Sequence, residues 1–371
     1  MADWSDYFRL IAECETLGYG PARTAVLEQA VQLADTLGDR DAQYDTRMLL
    51  VAAASFGGAG ERALVAFTWC LNEFDSSPER RDEHQLLWAF KWILGSLPDF
   101  VTVPRSRIEA VQNDFEARLK QFGHGLAPLY KLKCRNAIDL GDVDDVRRWH
   151  SEWRTAPGDS LQDCPACQTS AEGRTLLFLG RMEDGLRALE PILSGRQRCH
   201  SVPGATYATI LRPLTLLGRD DEAKRYHRLG YRAVSRNPDF LSSVAAHLVY
   251  AVRLKDTDQA SRMFQKHLPV AMDVREDDMR REFLVASWIF LEHLAAVSRR
   301  RRKLVLPQGL ECVRDDSLYE PAELATWFQT QAAGITRQFD ERNGNDFYTR
   351  KMHRLSEFAL GKAVDGDSNS K

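Results

Sequence analysis

The chain has 371 residues, of which 44% are hydrophobic and 28% charged, and its formal net charge is −3. That apolar share excludes wholesale disorder, and the balanced charge excludes a global field that would draw the chain to nucleic acid. No run of about eighteen apolar residues is present and the acidic start Met1-Ala2-Asp3-Trp4-Ser5-Asp6 lacks an apolar signal region, so a soluble cytoplasmic protein with no membrane partner is expected.

Taken in chain order, the elements read as helical hairpins. Leu17-Gly18-Tyr19-Gly20-Pro21 marks a turn, and Thr24 to Leu37 then places Val26, Leu27, Ala30, Val31, Ala34 and Leu37 on one stripe at helical spacing. Phe56-Gly57-Gly58-Ala59-Gly60-Glu61 is a second turn; it follows a helix and lacks a Lys-Ser/Thr pair, so it is no phosphate loop. Trp88 and Trp92, like Trp149 and Trp153 further on, stack at four-residue spacing on one helix face, either as packing or as an anchor for a peptide. Leu97-Pro98-Asp99-Phe100 is a third turn, and Pro104 opens the helix after it.

The next three turns share one pattern: Leu140-Gly141-Asp142-Val143-Asp144-Asp145, Leu179-Gly180-Arg181-Met182-Glu183-Asp184 and Leu217-Gly218-Arg219-Asp220-Asp221-Glu222. A degenerate fourth copy reads Leu254-Lys255-Asp256-Thr257-Asp258. Glycine is expected to close the first helix in the left-handed conformation, and the acidic residues to cap the second. Gly141 to Gly180 is 39 residues, Gly218 lies 38 further on and Lys255 another 37. Upstream the spacings are 40, 40 and 43, which makes about seven hairpins. Helices are expected over Gly185 to Leu193, Ala205 to Leu217 (kinked at Pro213), Glu222 to Val234 and Phe283 to Val297. Strand content should be close to zero.

Arg299 to Lys303 is a run of five cations, expected to complement the dipole at the end of the Phe283 to Val297 helix. Two last helices, Pro321 to Arg342 and Tyr348 to Leu360, precede a polar tail expected to be disordered. The domain reading is a repeat array over 1–298, a helical cap over 299–362 and the tail at 363–371.

With Leu-Gly at the inner turns and small residues such as Ala188 and Ala223 beside Gly180 and Gly218, residues 4–298 resemble the tetratricopeptide family. The period exceeds that family's 34 residues, and several copies lack its tryptophan and tyrosine positions. The chain is also similar to bacterial tetratricopeptide-like proteins that carry a Cys-x-x-Cys, a later Cys and an end segment like Phe339-Asp340-Glu341-Arg342-Asn343-Gly344-Asn345. The resemblance implies an all-α, right-handed α–α superhelix and assigns no activity.

The cysteines number seven, and Cys14, Cys70, Cys134 and Cys312 stand alone as expected small buried hydrophobes. The other three form the one constellation with chemistry: Cys164-Pro165-Ala166-Cys167, then Cys199-His200. Cys164 to Cys199 is 35 residues, close to one repeat, so both are expected to start the first helix of adjacent hairpins. Three thiols and an imidazole would then converge as the four N and S ligands of a structural Zn²⁺. A reversible disulfide or free thiols at a helix contact are the alternatives. No nucleophile elbow, His-Glu-x-x-His or kinase signature occurs, and the nine histidines lie apart, so no catalytic residue is assigned. The sequence therefore reads as a non-enzymatic scaffold that binds a protein or peptide segment in a concave groove or pairs with its own copy. Nucleic acid is disfavoured, and a nucleic-acid-linked regulator using the 299–303 run is the alternative.

Overall fold

The computed structural model describes residues 3–298 and 300–361. The expected disordered tail and Arg299 lie outside the described residues. The described chain is almost entirely helical: eighteen α-helices and one two-stranded ribbon. No helix among the described residues is long and apolar enough to cross a membrane.

The chain divides into two compact units. The first comprises residues 3–133, Trp149–Gln162 and Asn237–Asp239. The second comprises Cys134–Arg148, Asp163–Arg236 and the described residues from Phe240 onward.

In the first unit, helices α1 (Trp4–Thr16), α2 (Pro21–Leu37), α3 (Arg40–Ser55), α4 (Gly60–Ser76), α5 (Glu83–Ser96) and α6 (Arg105–Gln121) each pack on the next. Pro104 is the N-cap of α6, as its fixed φ and missing N–H favour. Asp39 and Asp82 cap α3 and α5 by accepting backbone N–H groups with their carboxylates. Arg81, nearly buried, ties the unit together: it donates to Asp41 at 2.7 Å and Glu73 at 3.2 Å and lies 4.5 Å over the Tyr44 ring. The Gly57–Gly60 stretch is a helix-to-helix turn, with Gly58 at φ +74° pressed against Pro238. Trp88 lies under the Lys91 ammonium at 3.6 Å and Trp92 meets Phe56 edge-on at 5.1 Å. Trp149 stacks on Tyr130 at 5.7 Å, and Trp153 is tilted against His150.

Helices α7 (Ala127–Leu140) and α8 (Val143–Thr155) contain the boundaries between the units. The second unit continues with α9 (Pro165–Phe178), α10 (Met182–Ala188), α11 (Glu190–Leu193), α12 (Gly204–Leu216), α13 (Asp220–Val234), α14 (Leu241–Arg253), α15 (Thr257–Asp273) and α16 (Asp277–Val297). After α16 come the ribbon strands β1 (Arg302–Lys303) and β2 (Leu318–Tyr319), then α17 (Pro321–Asn343) and α18 (Phe347–Leu360). The strands are antiparallel, with Arg302 opposite Tyr319. Pairs α9–α10, α12–α13 and α14–α15 pack on each other, and α18 packs on α14, α16 and α17.

The four patterned turns share one backbone solution. Gly141, Gly180, Gly218 and Lys255 have φ of +73°, +78°, +71° and +58°. At each, the residue's own N–H reaches the carbonyl three back: Ile138, Leu177, Thr215 and Val252, at 2.9–3.2 Å. The following N–H reaches the carbonyl five back: Ala137, Leu176, Leu214 and Ala251, at 2.8–3.1 Å. Both bonds satisfy carbonyls that the ending helix would otherwise leave unpaired. Lys255 holds the same conformation without glycine's freedom.

The start of the second helix differs from expectation in two of the four turns. Asp142 and Asp256 cap α8 and α15 through their carboxylates, accepting from Asp145 at 3.1 Å and Gln259 at 2.9 Å. At α10 and α13 the N-cap is Arg181 or Arg219, and neither helix has a side-chain cap. There the acidic residue stands one turn in, where it still faces the helix dipole, and pairs with that arginine.

Three further expectations are corrected. The Gly185 to Leu193 stripe breaks into α10 and α11, because Pro191 can neither donate nor clear the carbonyl one turn back. The basic run does not sit in the last turn of a helix: α16 ends at Val297, Ser298 is extended, and Arg302 and Lys303 lie exposed on β1. The close approach of α9 to α10 falls at Gly185, where a Cβ would meet Leu177 Cγ at 2.7 Å and the Gly173 carbonyl oxygen at 3.2 Å, while Ala188 is only half-buried. Ala223 is fully buried, as expected.

Four consecutive helices of the second unit, α13 to α16, each bury one imidazole: His227, His247, His267 and His293. His227 Nε2 faces Gln259 Oε1 at 3.2 Å and its Nδ1 faces His247 Nδ1 at 3.1 Å. Only one proton fits between two nitrogens at that distance, so a doubly protonated pair is excluded. His267 Nε2 meets the Tyr231 hydroxyl at 3.2 Å, and His293 Nε2 meets Thr257 Oγ1 at 3.0 Å. Burial holds all four below the ordinary histidine pKa, His267 at about 4. Lys266 beside His267, Lys255 beside His293 and Arg228 near His227 add to it, while Gln259 and Asp256 oppose it at His227.

Two predictions follow from these contacts. Gly180→Ala and Gly218→Ala meet no atom within 4 Å, so each should cost on the order of 1 kcal/mol by backbone strain alone. Gly141→Ala should cost more, since its Cβ would lie 2.4 Å from Phe347 Cβ, whereas Lys255→Gly should stabilise; denaturant midpoints measure all four. Lowered histidine pKa values mean that the unfolded chain takes up protons first as pH falls. Stability of the second unit should therefore be full above about pH 6.5 and decline towards pH 4, with roughly 3 kcal/mol from His267. His267→Phe should flatten that decline in urea titrations at pH 7.5 and 5.

Candidate metal centre

The centre is built from two segments of the second unit. Cys164 is the N-cap of α9, with extended backbone at φ −58° and ψ 157°. Pro165 occupies the first helical position, where a missing N–H is harmless. Cys167 follows at three-residue spacing, which turns both sulfurs to the same side of the helix start. Both side chains are half-buried against the hydrophobic core of the unit.

Cys199 comes from the loop between α11 and α12, and it is exposed. The loop is closed by the Cys199 N–H donating to the Val202 carbonyl at 2.9 Å. The expectation that Cys199 starts a helix is corrected here: Pro203 is the N-cap and α12 begins only at Gly204. Cys199 therefore reaches Cys164 and Cys167 from a loop.

The three sulfurs lie within 4.8 Å of one another. Zinc–sulfur bonds of about 2.3 Å in a tetrahedron place sulfurs about 3.8 Å apart, so this spacing fits a metal ion with small adjustment. The donor set is all thiol, which suits zinc and other thiophilic ions over calcium or magnesium. All seven cysteines are free thiols.

His200, the fourth residue of the sequence-predicted set, lies outside this cluster. Its ring lies tilted against Phe240 with centroids 6.1 Å apart, and burial lowers its pKa. The loop backbone carries consecutive side chains to different sides, so Cys199 meets the thiols while His200 meets the ring. Sequence reasoning did not anticipate Phe240, which lies forty residues further along the chain.

The thiols differ in electrostatics. Burial pushes the Cys164 thiol up, but the Cys167 N–H, the thiols of Cys199 and Cys167 and the Ala166 N–H outweigh it, leaving its pKa below the usual value. Cys167 is driven well above that value by burial and by the neighbouring Cys164 and Cys199 sulfurs. One thiol thus ionises more readily while its neighbour resists a second negative charge, and a cation placed among the three would relieve that resistance. The isolated cysteines behave otherwise: Cys14, Cys70 and Cys134 are buried and Cys312 is half-buried. Burial pushes Cys70 up to about 12 and Cys134 up to about 11, as inert packing thiols.

No protein-family model and no curated protein matches the chain. The centre therefore stands on its geometry. Protein purified without metal-affinity resin should contain close to one zinc per chain by atomic emission, and Cys199→Ala should lose it while Cys312→Ala keeps it. Free zinc at about 100 times its Kd should stabilise the wild type by about 2.7 kcal/mol, and a chelator should abolish that gain.

Proposed function

We propose that the chain is a tetratricopeptide-like interaction scaffold, not an enzyme, whose second unit is stiffened by a Zn²⁺ that joins two segments through Cys164, Cys167 and Cys199. The observation that carries this reading is the recurrence of one turn. The same pair of hydrogen bonds also closes helices at Gly123 and Gly344, so it is the even 37- to 39-residue spacing of four such helix-to-helix connections that supports a stacked repeat. On this reading the hairpins of the second unit stack as a right-handed α–α superhelix in a cytoplasmic protein, and the metal clamps the entry to α9 to the entry to α12.

The partner on this reading is a protein or peptide segment. An apolar recess of about 280 Å³ on the first unit supports it, lined by Met48, Leu49, Ala52, Trp88, Ala89 and Trp92 with His84 and Gln85 at its edge. That volume suits one large apolar side chain, and the two tryptophans supply the rigid aromatic walls that anchor sites favour. Leu49 is 37% exposed at the recess, so Leu49→Arg should leave folding intact. A partner isolated from the source cell should bind Leu49→Arg at least about tenfold more weakly, or about 1.4 kcal/mol, by calorimetry. Equal affinity for both proteins would remove the recess from the reading.

A further inference from the structure

The three-thiol cluster, taken as the metal centre of the preceding reading, has an asymmetric setting. Cys164 and Cys167 lean on the hydrophobic core, whereas Cys199 is exposed. The metal would therefore have protein behind it and solvent in front. A closed structural zinc site needs four protein ligands, while three protein ligands leave one position for an exchangeable group. Among the described residues no fourth Cys, His, Asp or Glu offers a ligand atom within 4.8 Å of all three sulfurs. His200 is the nearest candidate in sequence; it is exposed, lies outside the three-sulfur group, and has its ring 6.1 Å from that of Phe240.

The loop that carries Cys199 also sets the charge at this approach. It reads Arg196-Gln197-Arg198-Cys199. Arg196 is paired with Glu190, but Arg198 is exposed and has no ion pair among the described residues. An uncompensated guanidinium next to the exposed ligand favours an anionic donor, and a metal already bound by three sulfurs favours a soft one.

We propose that the metal held by Cys164, Cys167 and Cys199 keeps its fourth position for an exogenous thiolate. The incoming thiol bonds to the metal through sulfur and its proton passes to bulk water; no electrons are transferred and no other bond is made. The source is either a small-molecule thiol or a cysteine side chain of a partner protein, and the chemistry at the metal is the same for both.

Cobalt(II) is the probe, because sulfur-to-cobalt absorption grows with the number of bound thiolates. The full chain, wild type and His200→Ala, is loaded with cobalt(II) under anaerobic conditions and titrated with 2-mercaptoethanol, then with a cysteine-containing protein partner. The near-ultraviolet band should rise saturably by about one third, from three thiolates to four, in both proteins, with cobalt retained on gel filtration. A response to the small thiol alone assigns a small-molecule ligand, and a response to the protein at lower concentration assigns a partner cysteine. The proposal is overturned if the wild-type band does not change and thiol acts only on His200→Ala, because His200 then closes the site while the metal reading survives. It is equally overturned if thiol strips the cobalt. No cobalt uptake by the wild type removes the metal reading itself, and the proposal with it.

Discussion

The second unit depends on a backbone turn with a positive φ at its centre. An α-helix that ends in this way satisfies its last carbonyls with two local hydrogen bonds and reverses direction within three residues. Repeated at Gly141, Gly180, Gly218 and Lys255, it fixes where each following helix begins and therefore which faces meet. The apolar stripes then have one way to be buried. Three of these turns carry glycine and the fourth lysine, so the same pair of bonds forms without glycine's freedom at Lys255.

The thiol cluster joins the start of one helix to the loop that precedes another. Helices α9 and α12 are the first members of successive hairpins, so the segments leading into them share one end of the unit. Cys164 and Cys167 project from a helix start, whose N–H groups favour thiolate, and Cys199 projects from the loop ahead of the next such helix. Bringing three thiols within 4.8 Å costs repulsion once two are ionised, and a divalent cation removes that cost. A metal bound there would therefore couple to the order of this end of the unit.

Much of this was legible in the residues. Leu-Gly followed by an acidic residue marks the left-handed turns because glycine alone adopts that conformation without strain, and Lys255 was found through register rather than chemistry. The final helices lie within a few residues of their expected limits, since their stripes are long and bounded by Pro321, Gly344 and Gly361. Tertiary detail was less legible. Gly185 to Leu193 carries one apolar stripe, but its proline divides it. Arg299 to Lys303 reads as a helix end, yet the pairing of Arg302 with Tyr319 depends on residues far along the chain. The buried histidines did leave a signal that spacing alone did not weigh: Ala223, His227, Gly230 and Val234 lie on one helical stripe, as do Met263, His267 and Ala271. His200 was grouped with the thiols through adjacency to Cys199, and only the fold reveals the ring of Phe240 beside it.

The central claim is that the start of α9 and the loop before α12 gather three specific sulfurs around one metal ion. X-ray absorption at the zinc edge tests it most directly on the zinc-loaded full chain. The account predicts three sulfur scatterers at about 2.3 Å with a fourth donor in the remaining place, and loss of that shell in Cys164→Ser. A first shell of oxygen and nitrogen alone, or one unchanged by Cys164→Ser, would contradict it.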